Sequence, residues 1–184
     1  SAVNSLNGIL NDFLSLSKLE EGRVEIHPEP IQLPDLLENV VEEMRGLLKK
    51  EQKLNFQNEV TLEETVLDGK LLKNILYNLL SNAVKYTPSG KHIFCRCEIS
   101  EESLRIMVKD QGIGIPEEDQ AHLFTRFFRA HNAENIQGTG LGLNIVKRYL
   151  DLMNGKITFE SELGQGSTFQ VQIPLGNHKA DANS

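Results

Sequence analysis

Long apolar runs are missing: no stretch of the 184 residues approaches the roughly 20 consecutive apolar positions needed to span a bilayer. The chain does not open on a basic segment followed by an apolar one, so it is expected to act in the cytoplasm, with any membrane anchor lying elsewhere in a longer parent protein. Basic residues are not in excess. With 19 Lys and Arg against 26 Asp and Glu, the net charge is −7, which argues against a non-specific nucleic-acid binder. Cysteine is scarce. Cys95 and Cys97 stand two apart in a strand-like run, so both point to one face. Such neighbours suit a disulfide poorly, and without clustered histidines they make a poor zinc site, so both are expected buried and reduced. Internal repeats and low-complexity tracts are also lacking, which excludes a solenoid or a disordered linker.

What remains is ordinary globular material, 39% hydrophobic, of a size suited to one domain with an appendage. The charge is uneven: residues 1–68 hold 6 basic and 14 acidic side chains (net −8), whereas residues 69–184 hold 13 and 12 (net +1). An anionic ligand meets least resistance in the later portion. Apolar positions at three- and four-residue spacings predict a helix over residues 3–19, with Gly22 closing it. A Pro-rich segment with a strand candidate at 24–27 follows. Pro34 then opens a second helix, whose apolar face runs from Leu36 to Leu48 and whose end is suited by Lys49 and Lys50. Strand candidates lie at 54–57 and 65–67, and Asp68 is a fair N-cap for a helix over 69–86. Strands at 92–99 and 104–109 precede a long glycine-containing stretch from Asp110 to Gly140, a length usual for functional lids. A helix at 141–153 and strands at 156–161 and 167–173 complete the order, and the tail from Gly176 reads as disordered. Paired strands with helices between them predict an α+β fold: a two-layer α/β sandwich, a mixed sheet with helices on one face, preceded by the N-terminal helix.

Four constellations carry chemistry. Asn78, Asn82 and Lys85 fall on one face of the 69–86 helix, opposite an apolar face through Leu72, Ile75, Leu76 and Leu79. They form either a solvated face or a Mg²⁺–phosphate site, since an amide oxygen is a hard ligand and an ammonium pairs with phosphate. Tyr86 adds an aromatic face. In Asp110-Gln111-Gly112-Ile113-Gly114, a strand-ending carboxylate is followed by two glycines. This is either an ordinary capped turn or an acceptor for an exocyclic amine beside a backbone that passes close to a planar ring. Gly138-Thr139-Gly140-Leu141-Gly142-Leu143 enters a helix and offers backbone N–H groups to an anion. It lacks the preceding strand of a dinucleotide fingerprint and the Lys of a P-loop. Residues 124–129 place Phe128 and Arg129 in the long loop, where Arg129 either is solvated or swings onto a phosphate as a lid closes.

In order and spacing these four segments resemble the N, G1, F and G2 boxes of sensor histidine kinases, and residues 164–169 resemble the closing glycine motif. Upstream, residues 14–20 resemble the end of the dimerisation and phosphotransfer hairpin. The resemblance implies a Bergerat-type ATP-binding fold, with ATP and Mg²⁺ as cofactors. It implies that Asp110 bonds the adenine amine, that Asn82 ligates Mg²⁺, and that Asn78, Lys85 and Arg129 serve the transfer. Tyr86, Gly112, Gly114, Ile115, Phe128 and Thr168 would flank the nucleotide, and the backbone from Gly138 through Thr139, Gly140, Leu141, Gly142 and Leu143 would cradle the phosphates. The implied division is 1–22 as the hairpin remnant, 23–176 as the catalytic domain and 177–184 as a tail. The implied partners are ATP and ADP, the hairpin bearing the acceptor His, a response regulator receiver domain, and a second copy through the N-terminal helix. The family's acceptor is a His followed by an acidic residue. The five histidines here precede Pro28, Ile93, Leu123, Asn132 and Lys179, so none fits. ATP-hydrolysing relatives of this fold carry a Glu where this chain has Asn78, and an amide cannot deprotonate water. A serine kinase of the anti-sigma class and a non-catalytic nucleotide-binding module are the alternatives.

Overall fold

The computed structural model describes residues 2–176. The elements run α1 (Ala2–Glu20), β1 (Glu29–Gln32), α2 (Leu33–Arg45), β2 (Lys53–Glu59), β3 (Glu64–Leu67), α3 (Gly69–Tyr86), β4 (His92–Ser100) and β5 (Ser103–Asp110). After them come α4 (Glu117–Gln120), a 3-10 turn (His131–Ala133), α5 (Gly142–Leu152), β6 (Lys156–Glu162) and β7 (Gly166–Pro174). Five strands form one sheet in the order β2-β4-β5-β7-β6, in which β2 and β4 run parallel and every other neighbouring pair antiparallel. The two-layer α+β expectation therefore holds.

Strand alternation builds the core. Ile93, Cys95 and Cys97 on β4, Leu104, Ile106 and Val108 on β5, and Phe169, Val171 and Ile173 on β7 are all buried. Leu72, Ile75, Leu76 and Leu80 of α3, Leu37, Val40, Val41 and Met44 of α2, and Ile145, Val146 and Leu150 of α5 cover them. The intervening strand positions, such as Phe94, Lys109 and Gln170, are exposed on the other face. Both cysteines are free and buried, and the bond from Cys95 together with burial pushes the Cys97 thiol well above its ordinary value.

Asp68 caps α3 as expected: Oδ1 accepts from the Leu71 N–H at 3.0 Å, while Oδ2 accepts from the His27 N–H at 2.9 Å. Gly22 closes α1 with φ +65°. Two expectations need correction. Residues 24–27 form no strand. Val24 and Ile26 pack on the core from a segment without regular secondary structure, and the strand lies at Glu29–Gln32, pairing with β3 in a two-stranded ribbon where Pro30 is tolerated at an edge. Secondly, α2 stops at Arg45, so Leu47 is 54% exposed. Lys49 serves the end of a different helix: its Nζ donates to the carbonyls of Lys85 (2.6 Å) and Thr87 (2.9 Å). The tail beyond Gly176, expected to be disordered, lies outside the described residues. Among the described residues, no helix is long and apolar enough to cross a membrane.

Candidate nucleotide site

One face of α3, the end of β5, the start of β7, the long loop and the start of α5 enclose a cavity of about 880 Å³. That volume falls within the range of small-molecule and cofactor sites. Asn78, Asn82, Lys85, Tyr86 and Asp110 all line it, so residues far apart in the chain converge.

Asp110 ends β5 and is 7% exposed. Its Oδ1 accepts from the Gly112 N–H (2.8 Å) and the Ser167 N–H (3.2 Å), while Oδ2 accepts no bond among the described residues. Burial raises its pKa, and the two backbone donors offset part of that rise. The carboxylate is thus oriented by one oxygen and presents the other to the cavity. Two glycines make this possible. A Cβ on Gly112 would lie 2.7 Å from the Tyr86 carbonyl oxygen, and one on Gly166 (φ +116°) would lie 2.0 Å from the Asp110 carbonyl oxygen.

On α3, the Asn78 Nδ2 donates to the Asn74 carbonyl at 2.9 Å, which leaves its oxygen facing the cavity. A Cβ built on Gly142 would meet that Oδ1 at 3.0 Å and the Asn82 Oδ1 at 3.8 Å, so both amide oxygens sit beside the start of α5. The Asn82 carboxamide is half-buried, and no protein group among the described residues bonds it. Tyr86 is half-buried, and its hydroxyl is pushed above the ordinary value by desolvation, against the pull of Arg129.

The other expected residues divide. Gly114, Ile115, Phe128, Arg129, Gly138, Thr139, Gly140, Gly142 and Leu143 line the cavity. Gly112 and Leu141 do not: Gly112 sits behind Asp110, and Leu141 is buried in the core while its N–H donates to the Thr139 Oγ1 (3.2 Å). Thr168 is a correction. Side chains alternate along β7, so Ser167 and Phe169 face the cavity and Thr168 lies with Gln170 on the opposite face. The apolar alternation of Phe169, Val171 and Ile173 carries that parity in the sequence and would have selected Ser167. Arg129 is turned into the lid, where its guanidinium donates to the carbonyls of Ala133 (2.8 Å), Glu134 (3.2 Å) and Ile136. Reaching a phosphate requires it to exchange those bonds.

The lid is tied down along its length. The Asp119 carboxylate accepts from the His131 N–H and bonds the His131 Nδ1, each at 2.8 Å, and Asn132 Nδ2 donates to the Gly114 carbonyl at 2.9 Å. Sequence reasoning did not assign α1 to the site, yet Gly8, Ile9 and Asp12 line the cavity, and Thr139 Oγ1 donates to Asp12 Oδ2 at 2.9 Å.

Comparison with known proteins agrees with this geometry. Residues 67–177 match the family described as "Histidine kinase-, DNA gyrase B-, and HSP90-like ATPase". The chain is 39% identical over 171 residues to the circadian input-output histidine kinase CikA of Synechococcus elongatus, covering 90% of this chain and 23% of CikA. It is 35% identical over 180 residues to the aerobic respiration control sensor protein ArcB of Escherichia coli, covering 94% of this chain and 23% of ArcB. The chain therefore spans about a quarter of the length of these curated relatives. A solved structure of full-length ShkA in complex with AMPPNP superposes with a TM-score of 0.79 at 28% identity, covering 92% of this chain and 36% of that one.

Proposed function

This chain belongs to the family of histidine kinase-, DNA gyrase B- and HSP90-like ATPases, and from that premise we propose that it is the ATP-binding catalytic part of a sensor histidine kinase. It transfers the ATP γ-phosphoryl group to a His on a dimerisation hairpin, for passage to an Asp of a response regulator receiver domain. The observation that carries this reading is the convergence of Asn82, Lys85, Asp110 and the glycine-rich start of α5 on one cavity, with an amide at Asn78 rather than a carboxylate. Phosphoryl transfer needs positioning and charge neutralisation more than covalent chemistry from the protein. These groups supply both, and the amide of Asn78, where water-activating relatives carry Glu, cannot deprotonate water.

In this reading the free Oδ2 of Asp110 accepts from the adenine amine, with Tyr86 flanking the ring. The N–H groups at the start of α5 and the Lys85 ammonium meet the phosphates, joined by Arg129 once it leaves the lid carbonyls. The Asn82 carboxamide oxygen, unpartnered and open to the cavity, fits a hard cation that keeps most of its waters. Mg²⁺ held there would neutralise phosphate charge. Residues 1–22 are the end of the hairpin, and 23–176 are the catalytic domain. The exposed stripe of Val3 (70%), Leu6 (66%), Leu10 (55%) and Phe13 (56%) meets a second copy. The serine-kinase alternative gains no support, since relatives matching nine-tenths of the chain are named histidine kinases.

Titration with MgATP is expected to give saturable, Mg²⁺-dependent binding in the micromolar range. With ATP and a separate hairpin bearing a His followed by an acidic residue, an acid-labile phosphohistidine is expected on the hairpin and none on this chain. Phosphate released to water at the same rate with or without the hairpin would overturn the assignment in favour of an ATPase.

A further inference from the structure

The α1 helix is doubly apolar. One stripe is open to solvent, while the other, containing Leu16 and Leu19, packs onto the catalytic body. A charged residue sits within the packed stripe: Asp12 is half-buried and lies one turn before Leu16. Its Oδ2 accepts from the Thr139 hydroxyl, whose oxygen in turn accepts from the Leu141 N–H at the entry to α5. Lys85 lines the same cavity, and its charge lowers the Asp12 pKa against a larger rise from burial. A carboxylate carried by α1 therefore stands against the glycine-rich turn in the cavity that Lys85 also lines.

We propose that Asp12 is an electrostatic latch: its carboxylate takes the place of a phosphate oxygen at Thr139 and Lys85, so that docking of α1 and binding of a nucleoside triphosphate oppose one another. This inference rests on the nucleotide reading of the cavity. Like charges brought together in a partly desolvated site repel, so whichever of the two is bound lowers the affinity of the site for the other. Among the described residues the remaining attachments of α1 are the buried Leu16, the half-buried Leu19, the Ser15 side chain beside Tyr149, and an exposed ion pair between Glu20 and Arg126. Entry of the triphosphate thus weakens the hold of the body on α1, and the body becomes free to reorient toward its phospho-acceptor. By linkage, the factor by which α1 docking weakens nucleotide binding equals the factor by which nucleotide weakens docking.

The test uses the whole chain and Mg²⁺ with AMPPNP. Asp12→Asn keeps an oxygen for Thr139 and removes only the charge, so the fold is retained. Calorimetry is expected to show AMPPNP binding about tenfold more tightly to Asp12→Asn than to the wild type. Hydrogen exchange over residues 6–20 is expected to quicken on adding AMPPNP to the wild type, and to change less in the variant. Equal or weaker binding by Asp12→Asn, or exchange in α1 that AMPPNP leaves unchanged in the wild type, overturns the latch while the nucleotide site stands. Absence of binding to both proteins overturns the site and the latch together.

Discussion

Asp110→Asn separates the structural work of this carboxylate from recognition, because the two fall on different oxygens. Oδ1 accepts both backbone bonds, from Gly112 and Ser167, and an asparagine oxygen placed there keeps them. Oδ2 becomes an NH₂ group, turning the acceptor aimed into the cavity into a donor. Burial already disfavours the charged form of Asp110, so a neutral side chain of the same shape is expected to change stability by less than about 1 kcal/mol. The adenine amine, however, would then meet a donor. Loss of one charge-assisted hydrogen bond, about 2 kcal/mol, predicts at least about a 30-fold weaker affinity for MgATP. Asp110→Ala provides the contrast. It strands two buried N–H donors and should cost about 2–4 kcal/mol, lowering Tm by roughly 4–16 °C. Calorimetric titration and thermal melting of the three proteins decide the matter. Binding by Asp110→Asn within threefold of wild type would refute the claim that the free oxygen reads the base. A melting loss as large as that of Asp110→Ala would refute the division of labour.

Asp68→Ala removes the α3 cap and the acceptor of the His27 N–H at once, so urea unfolding should show a loss of about 2–4 kcal/mol. Gly166→Ala forces a side chain onto a φ of +116° with its Cβ 2.0 Å from the Asp110 carbonyl oxygen. A loss of about 3 kcal/mol is expected, or roughly 6–12 °C in Tm; an unchanged melt would show that this end of the sheet yields. The Asp119–His131 pair ties the lid in a pH-dependent way. Asp119 raises the His131 pKa, so the histidine contribution is complete below about pH 6.5 and is lost as pH rises through the elevated value. The bond from the His131 N–H leads the causes that lower the Asp119 pKa, so that contribution is present above its ordinary value of 3.8 and disappears as pH falls through the lowered one. Protection of residues 117–133 relative to intrinsic exchange at each pH should be greatest between these limits, and His131→Ala should abolish the alkaline limb.

Local rules made most of the elements legible. The apolar periodicities of α1, α3 and α5, the Asp68 cap, Pro34 at the start of α2 and the alternation of β4 and β5 all act within a few residues, and the structure bears them out. The errors lie where distant segments compete. The Pro-rich segment chose its pairing partner in β3 rather than its own most apolar residues, and Lys49 turned to the end of α3 rather than of α2. Thr168 differs from these, since parity within β7 alone turns it away from the cavity and selects Ser167.

The chemical inventory and its order are legible along the chain: two carboxamides and a lysine on one helical face, an aspartate ending a strand, and glycines where backbone must come close. Each depends on spacing along the chain and on the geometry of a helix or strand. Packing of distant elements is what lets Asp110 give one oxygen to the Ser167 N–H of β7 and the other to the cavity, and brings Asp12 of α1 to that cavity. Those facts depend on contacts across up to 127 positions of chain, which no periodicity encodes, because a side chain's partner there is set by how whole elements pack.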